Sequence, residues 1–262
     1  MSPRSSTRKL NKIIWTFWTG PKCKMYTKCQ LSWRYYLKDW KINVVTLDNI
    51  DSWNLVLPST FDKLPPTAKS DIIRINLLYK YGGVWLDATI QLLRNLDWLL
   101  KLCNKGGKHD YFACKAWDAE FVENWLLAVN RVKNPYIKKW RDSLCDVLEK
   151  WPNITLTKYY RGKKYTRNDN YFMMYQCYCY LINNDSLFKP AIILPNSVQL
   201  AFIPVEFPLD IMDPRYFIKY TSNCRKRATI CQKIFNILIL TIILFLFYKI
   251  GKFRFFPRST GG

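Results

Sequence analysis

The chain has 262 residues, of which 49% are hydrophobic and 16% are aromatic. This is enough apolar material for a buried core, which excludes an intrinsically disordered chain. The formal net charge of +22 indicates a negatively charged partner, such as phosphate groups, an acidic lipid surface or nucleic acid.

The positive charge is concentrated at the two ends of the chain. Residues 1–38 contain nine Lys or Arg and residues 214–262 contain ten, and neither segment contains an acidic residue. The middle of the chain, residues 39–213, carries a net charge of only +3. A nucleic-acid-binding protein more often carries its basic residues on the folded domain, so this distribution argues against nucleic acid as the partner. The nine cysteines form no CxxC pair and the chain has a single His, which argues against the usual zinc sites.

The chain opens with the pattern of a β-α-β unit. After a basic tail, the sequence predicts a strand, a helix and a second strand: residues 1–11, 13–18, 26–40 and 42–47. Leu31, Tyr35 and Leu37 give the helix its apolar spacing. Because this order is typical of parallel strands joined by a helix, we predict an α/β domain with a mostly parallel central sheet.

The next helix has clear start and stop signals. It is predicted to begin at Pro65-Pro66-Thr67, where Thr67 can cap the free N–H groups, and to end at Gly82-Gly83. A short apolar strand follows at residues 84–86. Further predicted strands and helices lie at residues 111–117, 134–151, 169–182 and 191–194.

An uncharged apolar run at residues 234–248 is bracketed by basic residues on both sides. This pattern predicts a transmembrane helix over residues 233–250, a basic tail over 251–262 and a folded domain over 12–222. The alternative is a buried core helix. No secretory signal pattern precedes the domain, so we expect a single-pass membrane protein whose domain lies in the cytoplasm, attached by this helix and by the basic ends.

Charged residues flank the strand at residues 84–86. Asp71 and Arg74 are spaced i, i+3 and so share one face of the preceding helix, and Asp87 directly follows the strand. Ligands of an open α/β sheet bind at the carboxyl ends of its strands. A carboxylate there can hold sugar hydroxyls or a divalent cation, and an arginine can hold phosphate oxygens. The alternatives are a surface ion pair for Asp71–Arg74 and a turn residue for Asp87.

The segments 70–74 and 77–89, which run Ser-Asp-Ile-Ile-Arg and Leu-Leu-Tyr-Lys-Tyr-Gly-Gly-Val-Trp-Leu-Asp-Ala-Thr, resemble the signature of the capsular polysaccharide synthesis protein family. Mannosyltransferases and glucosylating clostridial toxins with a DxD region are similar. The resemblance covers roughly residues 11–200 and includes the first strand. It implies a GT-A glycosyltransferase fold, a Rossmann-like domain that takes a UDP- or GDP-sugar donor and a glycan or lipid-linked acceptor.

The same resemblance assigns roles to individual residues. It implies that Asp87 and Arg74 are catalytic, and that the donor is bound by Trp18, Asp71, Arg74, Gly83 and Asp87. Trp18 matches the aromatic residue that stacks on the nucleotide base, with a core aromatic as the alternative. Asp169 matches the acceptor side, with a helix N-cap as the alternative.

The sequence departs from the strict DxD pattern at Thr89, where the toxins and mannosyltransferases have a second Asp. A divalent cation, Mn²⁺ or Mg²⁺, is therefore expected to be held by Asp87 and a weaker hydroxyl ligand. Configuration-retaining relatives suggest a retaining hexosyltransferase. The alternatives are a membrane-anchored, non-catalytic relative that binds sugar nucleotides, and a basic nucleic-acid-binding protein.

Overall fold

Strands and helices alternate through most of the chain. The first half contains β1 (Ile13–Phe17), α1 (Lys24–Tyr36), β2 (Lys41–Val45), α2 (Pro66–Tyr81), β3 (Gly83–Leu86), β4 (Ile90–Leu92) and α3 (Asp97–Lys105). The second half contains β5 (Tyr111–Lys115), β6 (Val122–Val129), α4 (Pro135–Leu148), β7 (Thr157–Tyr160), β8 (Lys163–Thr166), α5 (Met173–Asn184), β9 (Ile192–Ile193) and β10 (Phe217–Lys219).

This computed structural model describes residues 10–105, 110–115, 122–154, 157–160, 163–166, 173–194 and 217–219. All of them belong to one compact unit, formed by Met1–Ala201 and Met212–Lys219. The predicted transmembrane segment, residues 233–250, lies outside the described residues. Within the described ranges, no helix combines the length and the apolar character needed to cross a membrane.

The central sheet has six strands in the order β2-β1-β3-β6-β5-β9. β1 pairs in parallel with both β2 and β3, and β5 pairs in parallel with β9. β6 runs antiparallel to its two neighbours, β3 and β5. The predicted α/β fold with a mostly parallel sheet is therefore confirmed, with one reversed strand near the middle.

Helices cover both faces of the sheet. Successive residues of a strand point to opposite faces, so Trp15 and Trp85 join the core beneath α2, α4 and α5. Their neighbours Ile14 and Val84 join the second core, beneath α1 and α3. The sheet is thus the middle layer of three, and its strand ends are the edges where side chains can meet a ligand.

Helix α1 forms where predicted but buries a different face. Leu31 and Tyr35 are 57% and 67% exposed, so two of the three residues that suggested the helix point outward. The buried face carries Tyr26, Cys29 and Trp33 instead. Trp33 decides the orientation, because its large indole is fully buried and its Nε1 donates to the Ile90 carbonyl at 2.7 Å.

Helix α2 begins two residues earlier than the predicted cap requires. Pro65 is the N-cap and no side chain caps the helix, so the prediction that Thr67 does so is wrong. Thr67 already lies inside the first turn and is exposed. The predicted end is confirmed, since the Gly82 N–H donates to the Leu78 carbonyl and Gly82 takes a φ of +65°.

Several elements were not predicted. The sequence predicts neither β6, the eight-residue strand beside β3, nor the short strand β4 and helix α3. The β7–β8 hairpin was also missed. β6 escapes a pattern-based prediction because both of its faces are covered, so nearly all of its residues are buried without apolar–polar alternation.

Candidate functional site

Three of the predicted residues meet at the carboxyl end of β3. Arg74 lies one helical turn after Asp71 on α2, and its Nη1 donates to Asp71 Oδ1 at 2.8 Å. Its Nη2 donates to Asp87 Oδ1, just beyond β3, at 3.0 Å. The guanidinium therefore bridges two carboxylates from two different elements, and we call these three residues the acidic cluster.

Trp85 fixes the position of Asp87 within this cluster. Residues two apart on a strand share a face, so the Trp85 indole lies beside the Asp87 carboxylate and donates from Nε1 to Oδ1 at 2.9 Å. The Arg74 guanidinium also lies over the Trp85 ring, 4.8 Å from its centroid. This cation–π contact and the two donors make the Asp87 orientation well defined.

The acidic cluster is nearly closed to solvent. The side chains of Arg74, Asp71 and Asp87 are 4%, 10% and 22% exposed. Charged groups in such a poorly solvated place are a poor way to stabilise a fold. Buried charged clusters at a sheet edge are typical of functional sites, and Asp87 is the member most open to solvent.

A second set of residues, from β6 and α5, holds Asp71 from the other side. Asn124 Nδ2 donates to Asp71 Oδ1 at 3.2 Å, and the Tyr175 hydroxyl donates to Asn124 Oδ1 at 2.8 Å. The Met174 sulfur lies 3.4 Å from Arg74 Nη1. Sequence reasoning missed all three, because their only signal is their position on elements whose pairing the sequence does not reveal.

An irregularity in the β5–β6 pairing lies next to Asn124. Ala113 pairs with Leu127, but the following residue, Cys114, pairs with Glu123, so residues 124–126 have no partner on β5. On the other side of β6, the Asp87 N–H donates to the Trp125 carbonyl at 3.0 Å. β-Bulges occur often beside active sites, where they redirect a side chain.

Tyr175 stays protonated in this environment. Burial raises its pKa well above the ordinary tyrosine value, and the negative charges of Glu123, Asp71 and Asp87 add to that effect while Arg74 opposes it. The hydroxyl lies 3.3 Å from Glu123 Oε2 as well as 2.8 Å from Asn124 Oδ1. The phenol therefore acts as a hydrogen-bond donor to the amide and not as a base.

Trp18 lies at the same edge of the sheet as Asp87. β1 and β3 are parallel, with Trp15 opposite Trp85, so the residues that follow the two strands lie at the same edge of the sheet. Trp18 is half-buried, its Nε1 donates to the Gly20 carbonyl, and its ring packs on Tyr26 with centroids 4.7 Å apart. Tyr26 thus supports one face of the Trp18 ring. This is the arrangement needed for a ligand ring to stack on the opposite face.

The remaining predicted residues have different positions. Gly83 begins β3 and lies at the opposite end of the strand from Asp87, where it packs against Ile13. Thr89 is 8% exposed, in a turn closed by the hydrogen bond from the Ile90 N–H to the Asp87 carbonyl. Asp169 lies outside the described residues.

The chemistry of Asp87 and Thr89 limits what kind of metal site they can form. Both offer oxygen ligands, which suit Mg²⁺ and Mn²⁺. In the part of the chain that the structure describes, no group of three or more His, Cys, Asp or Glu side chains is placed to hold a metal ion. Two oxygen ligands leave most positions around such an ion open to other ligands, including those of a bound substrate.

Comparison with known proteins identifies the family. The sequence profile described as "Capsular polysaccharide synthesis protein" matches residues 2–195, most of the chain. The chain belongs to the capsular polysaccharide synthesis protein family. The expected family is thereby confirmed, and the acidic cluster lies inside the matched region of this family member.

Two solved structures are similar to this member of the capsular polysaccharide synthesis family. "PaToxG Glycosyltransferase" matches with 14% identity and a TM-score of 0.41, over 56% of this chain and 64% of that one, so the chain spans less than two thirds of its length. A transferase with two cysteine-to-serine substitutions matches with 10% identity and a TM-score of 0.41, over 71% of this chain and 94% of that one. No curated protein matches the chain.

Proposed function

We propose that this protein is a GT-A glycosyltransferase that transfers a hexose from a UDP- or GDP-sugar to a glycan or lipid-linked acceptor. The observation that carries the proposal is the acidic cluster at the carboxyl end of β3, on the edge where Trp18 also lies. Membership of a polysaccharide synthesis family supports the same class of reaction.

The charges of the cluster suggest how the donor is held. Carboxylates accept hydrogen bonds from hydroxyl groups, so Asp71 and Asp87 are suited to the hydroxyls of the donor sugar or ribose. Arg74 already donates to both acids, so its guanidinium is largely engaged by them. We propose that Arg74 holds the two acids in place. It would also contact the donor sugar on the side that faces the diphosphate.

The diphosphate of a sugar nucleotide is negatively charged, and a divalent cation can neutralise it. Asp87 and Thr89 would hold a Mg²⁺ or Mn²⁺ ion, which would neutralise the diphosphate as the bond to the sugar breaks. The half-buried Trp18 would stack on the nucleotide base with the ring face that Tyr26 does not support. By the family resemblance, we propose retention of configuration at the sugar.

The test is a panel of UDP- and GDP-sugars, with and without Mn²⁺, followed by mass spectrometry of released nucleotide and product. We expect turnover of at least one donor. Asp87→Asn should reduce it by roughly 10²–10³-fold, as expected when one charged group of a preorganised site is removed. Asp146→Asn, at an exposed position on α4, is the matched control and should leave the rate unchanged.

Two results would overturn the proposal. Donor binding without turnover by any member of the panel would show a non-catalytic sugar-nucleotide-binding protein. Neither binding nor turnover of any donor would remove the sugar nucleotide from the proposal altogether. The anomeric configuration of the product, read by NMR, tests retention separately.

A further inference from the structure

Helix α1 presents a long exposed face to solvent. Its exposed residues recur every three or four positions and so form one stripe, which we call the α1 outer face: Lys24, Thr27, Lys28, Leu31, Arg34 and Tyr35, continued by Lys38 just beyond the helix. At 1.5 Å per residue, the stripe from Lys24 to Tyr35 is about 16 Å long.

The charge on this face is entirely positive. Four of its residues are Lys or Arg, and residues 1–38 contain no Asp or Glu. Lys24 lies in the first turn of the helix, where the helix dipole disfavours cations. The Lys24 charge therefore does not stabilise the helix, and the face as a whole is complementary to a negatively charged surface.

Two apolar side chains lie within the cationic stripe. Leu31 is 57% exposed and Tyr35 is 67% exposed. The helix cannot rotate to bury them, since Tyr26, Cys29 and Trp33 anchor its other face in the core. The Lys38 ammonium lies 5.9 Å from the centre of the Tyr35 ring, so charge and apolar surface are side by side.

We propose that the α1 outer face binds the surface of an anionic lipid bilayer. Helices that lie in a membrane surface combine Lys or Arg with apolar and aromatic residues, which enter the boundary between headgroups and acyl chains. The cations match the lipid phosphates, and Leu31 and Tyr35 match the apolar phase just below them. Nucleic acid offers the same phosphates but no apolar phase for an exposed Leu.

The position of α1 relates this surface to the candidate site. The helix starts at the sheet edge where Trp18 lies, and the Tyr26 ring packs against Trp18. A bilayer bound to α1 therefore borders the edge of the sheet that carries the acidic cluster, whereas α2, which supplies Asp71 and Arg74, covers the other face. A lipid-linked acceptor would reach the cluster across that edge. This last step rests on the proposed function, whereas the lipid binding itself does not.

The charge on the face is tested with the full chain and two kinds of vesicles, phosphatidylcholine alone and phosphatidylcholine with phosphatidylserine. Each cation near an anionic surface strengthens binding about fivefold, so Lys24→Gln/Lys28→Gln/Arg34→Gln should weaken binding to the anionic vesicles about a hundredfold. The matched control, Lys63→Gln/Lys150→Gln/Lys189→Gln, removes three exposed lysines from the opposite side of the sheet. Equal losses in the two triple variants, or no loss in either, would overturn the proposal.

The apolar part of the face is tested with Leu31→Gln/Tyr35→Gln, which keeps every charge. Loss of two apolar groups from the bilayer boundary should weaken binding to anionic vesicles at least tenfold. Binding of a double-stranded oligonucleotide, whose bases are stacked on one another and whose phosphates face outward, is driven by charge and should not change. Unchanged vesicle binding, or an equal loss for both probes, would show a general polyanion-binding face instead. Circular dichroism checks that α1 remains folded in every variant.

Discussion

The two ends of β3 lie only a few residues apart, but different physical factors determine which residues each end can carry. At the amino end, Gly83 has a φ of +88°, and a Cβ added there would lie 2.7 Å from the Ile13 carbonyl oxygen. At the carboxyl end, Asp87 is held by Arg74 and Trp85 in a charged cluster. The first end is determined by space and backbone geometry, and the second by charge.

This difference explains why the short segment at residues 82–87 contains both glycines and an acidic residue. The glycines permit a tight passage from α2 into the sheet, and that passage places Arg74 opposite the end of the strand. The acids do not help the sheet to form, because buried charge is a poor source of stability. Substitutions at the amino end should therefore act on folding, and those at the carboxyl end on chemistry.

The largest effect on stability is expected at the amino end. Gly83→Ala forces a side chain into a positive φ and against the Ile13 backbone, which cannot move without disturbing the β1–β3 pairing. We expect a loss of about 4 kcal/mol in the free energy of unfolding, the sum of backbone strain and overpacking. Urea denaturation followed by fluorescence measures it.

Gly20→Ala separates backbone strain from overpacking, the two causes of the stability loss expected for Gly83→Ala. Gly20 also has a positive φ, +94°, but a Cβ there would meet nothing within 4 Å. Its substitution should therefore cost only the strain, about 1–2 kcal/mol. If Gly83→Ala destabilised the protein no more than Gly20→Ala, the close approach of β3 to β1 would have no role in folding.

The next effect is expected at Arg74. Arg74→Met removes the guanidinium that bridges Asp71 and Asp87 in a poorly solvated site. A loss of about 3 kcal/mol is expected from breaking a buried pair on one side. Lys138→Met, which breaks the exposed pair with Asp142, is the control and should cost well under about 1 kcal/mol.

A triple variant tests whether the cluster stabilises the fold at all. Adding Asp71→Asn and Asp87→Asn to Arg74→Met removes the two carboxylate charges that Arg74 contacted, so most of the lost stability should return while transferase activity stays absent. The comparison between the strand ends would fail if the triple variant were as unstable as Arg74→Met alone. In that case the cluster would be part of the fold and not of the chemistry.

The sequence predicts the parts of the fold that depend on local patterns. The β1-α1-β2 opening and the end of α2 at Gly82 follow from apolar spacing and glycine chemistry. The buried face of α1 does not follow from these patterns, because the large indole of Trp33 is buried while the apolar residues Leu31 and Tyr35 are exposed. β6 does not either, since a strand covered on both faces lacks the alternation that reveals a strand.

The same limit applies to the candidate site. Asp71, Arg74 and Asp87 are close in sequence and carry a recognisable spacing, and the structure brings all three together. Asn124 and Tyr175 reach the cluster through a bulged strand and a distant helix, contacts between residues about 50 positions apart. No local pattern encodes contacts that depend on how β6 and α5 pack.

The smallest effect is expected at Tyr175, whose hydroxyl donates to Asn124, the residue that in turn donates to Asp71. Tyr175→Phe removes the hydrogen bond to Asn124 Oδ1 and should cost about 1 kcal/mol of stability. Because the pKa of Tyr175 is raised in the folded protein, its contribution is fully present below the ordinary tyrosine pKa of about 10 and is lost as the pH rises above it. The variant should therefore lose less stability than the wild type between about pH 9 and pH 11.

Tyr111→Phe is the matched control for the effect of Tyr175→Phe on catalysis, because Tyr111 lies at the other end of the strands. Tyr111 also has its pKa raised well above the ordinary value by burial, and its hydroxyl donates to the Lys189 carbonyl at 2.8 Å. It pairs with Val129 at the end of the sheet where Gly83 lies. Both variants should show a flatter alkaline stability profile, but only Tyr175→Phe should lower kcat, because only Tyr175 acts through Asn124 on Asp71. Equal kcat values for the two variants would mean that the Asp71 carboxylate is positioned without this chain of hydrogen bonds.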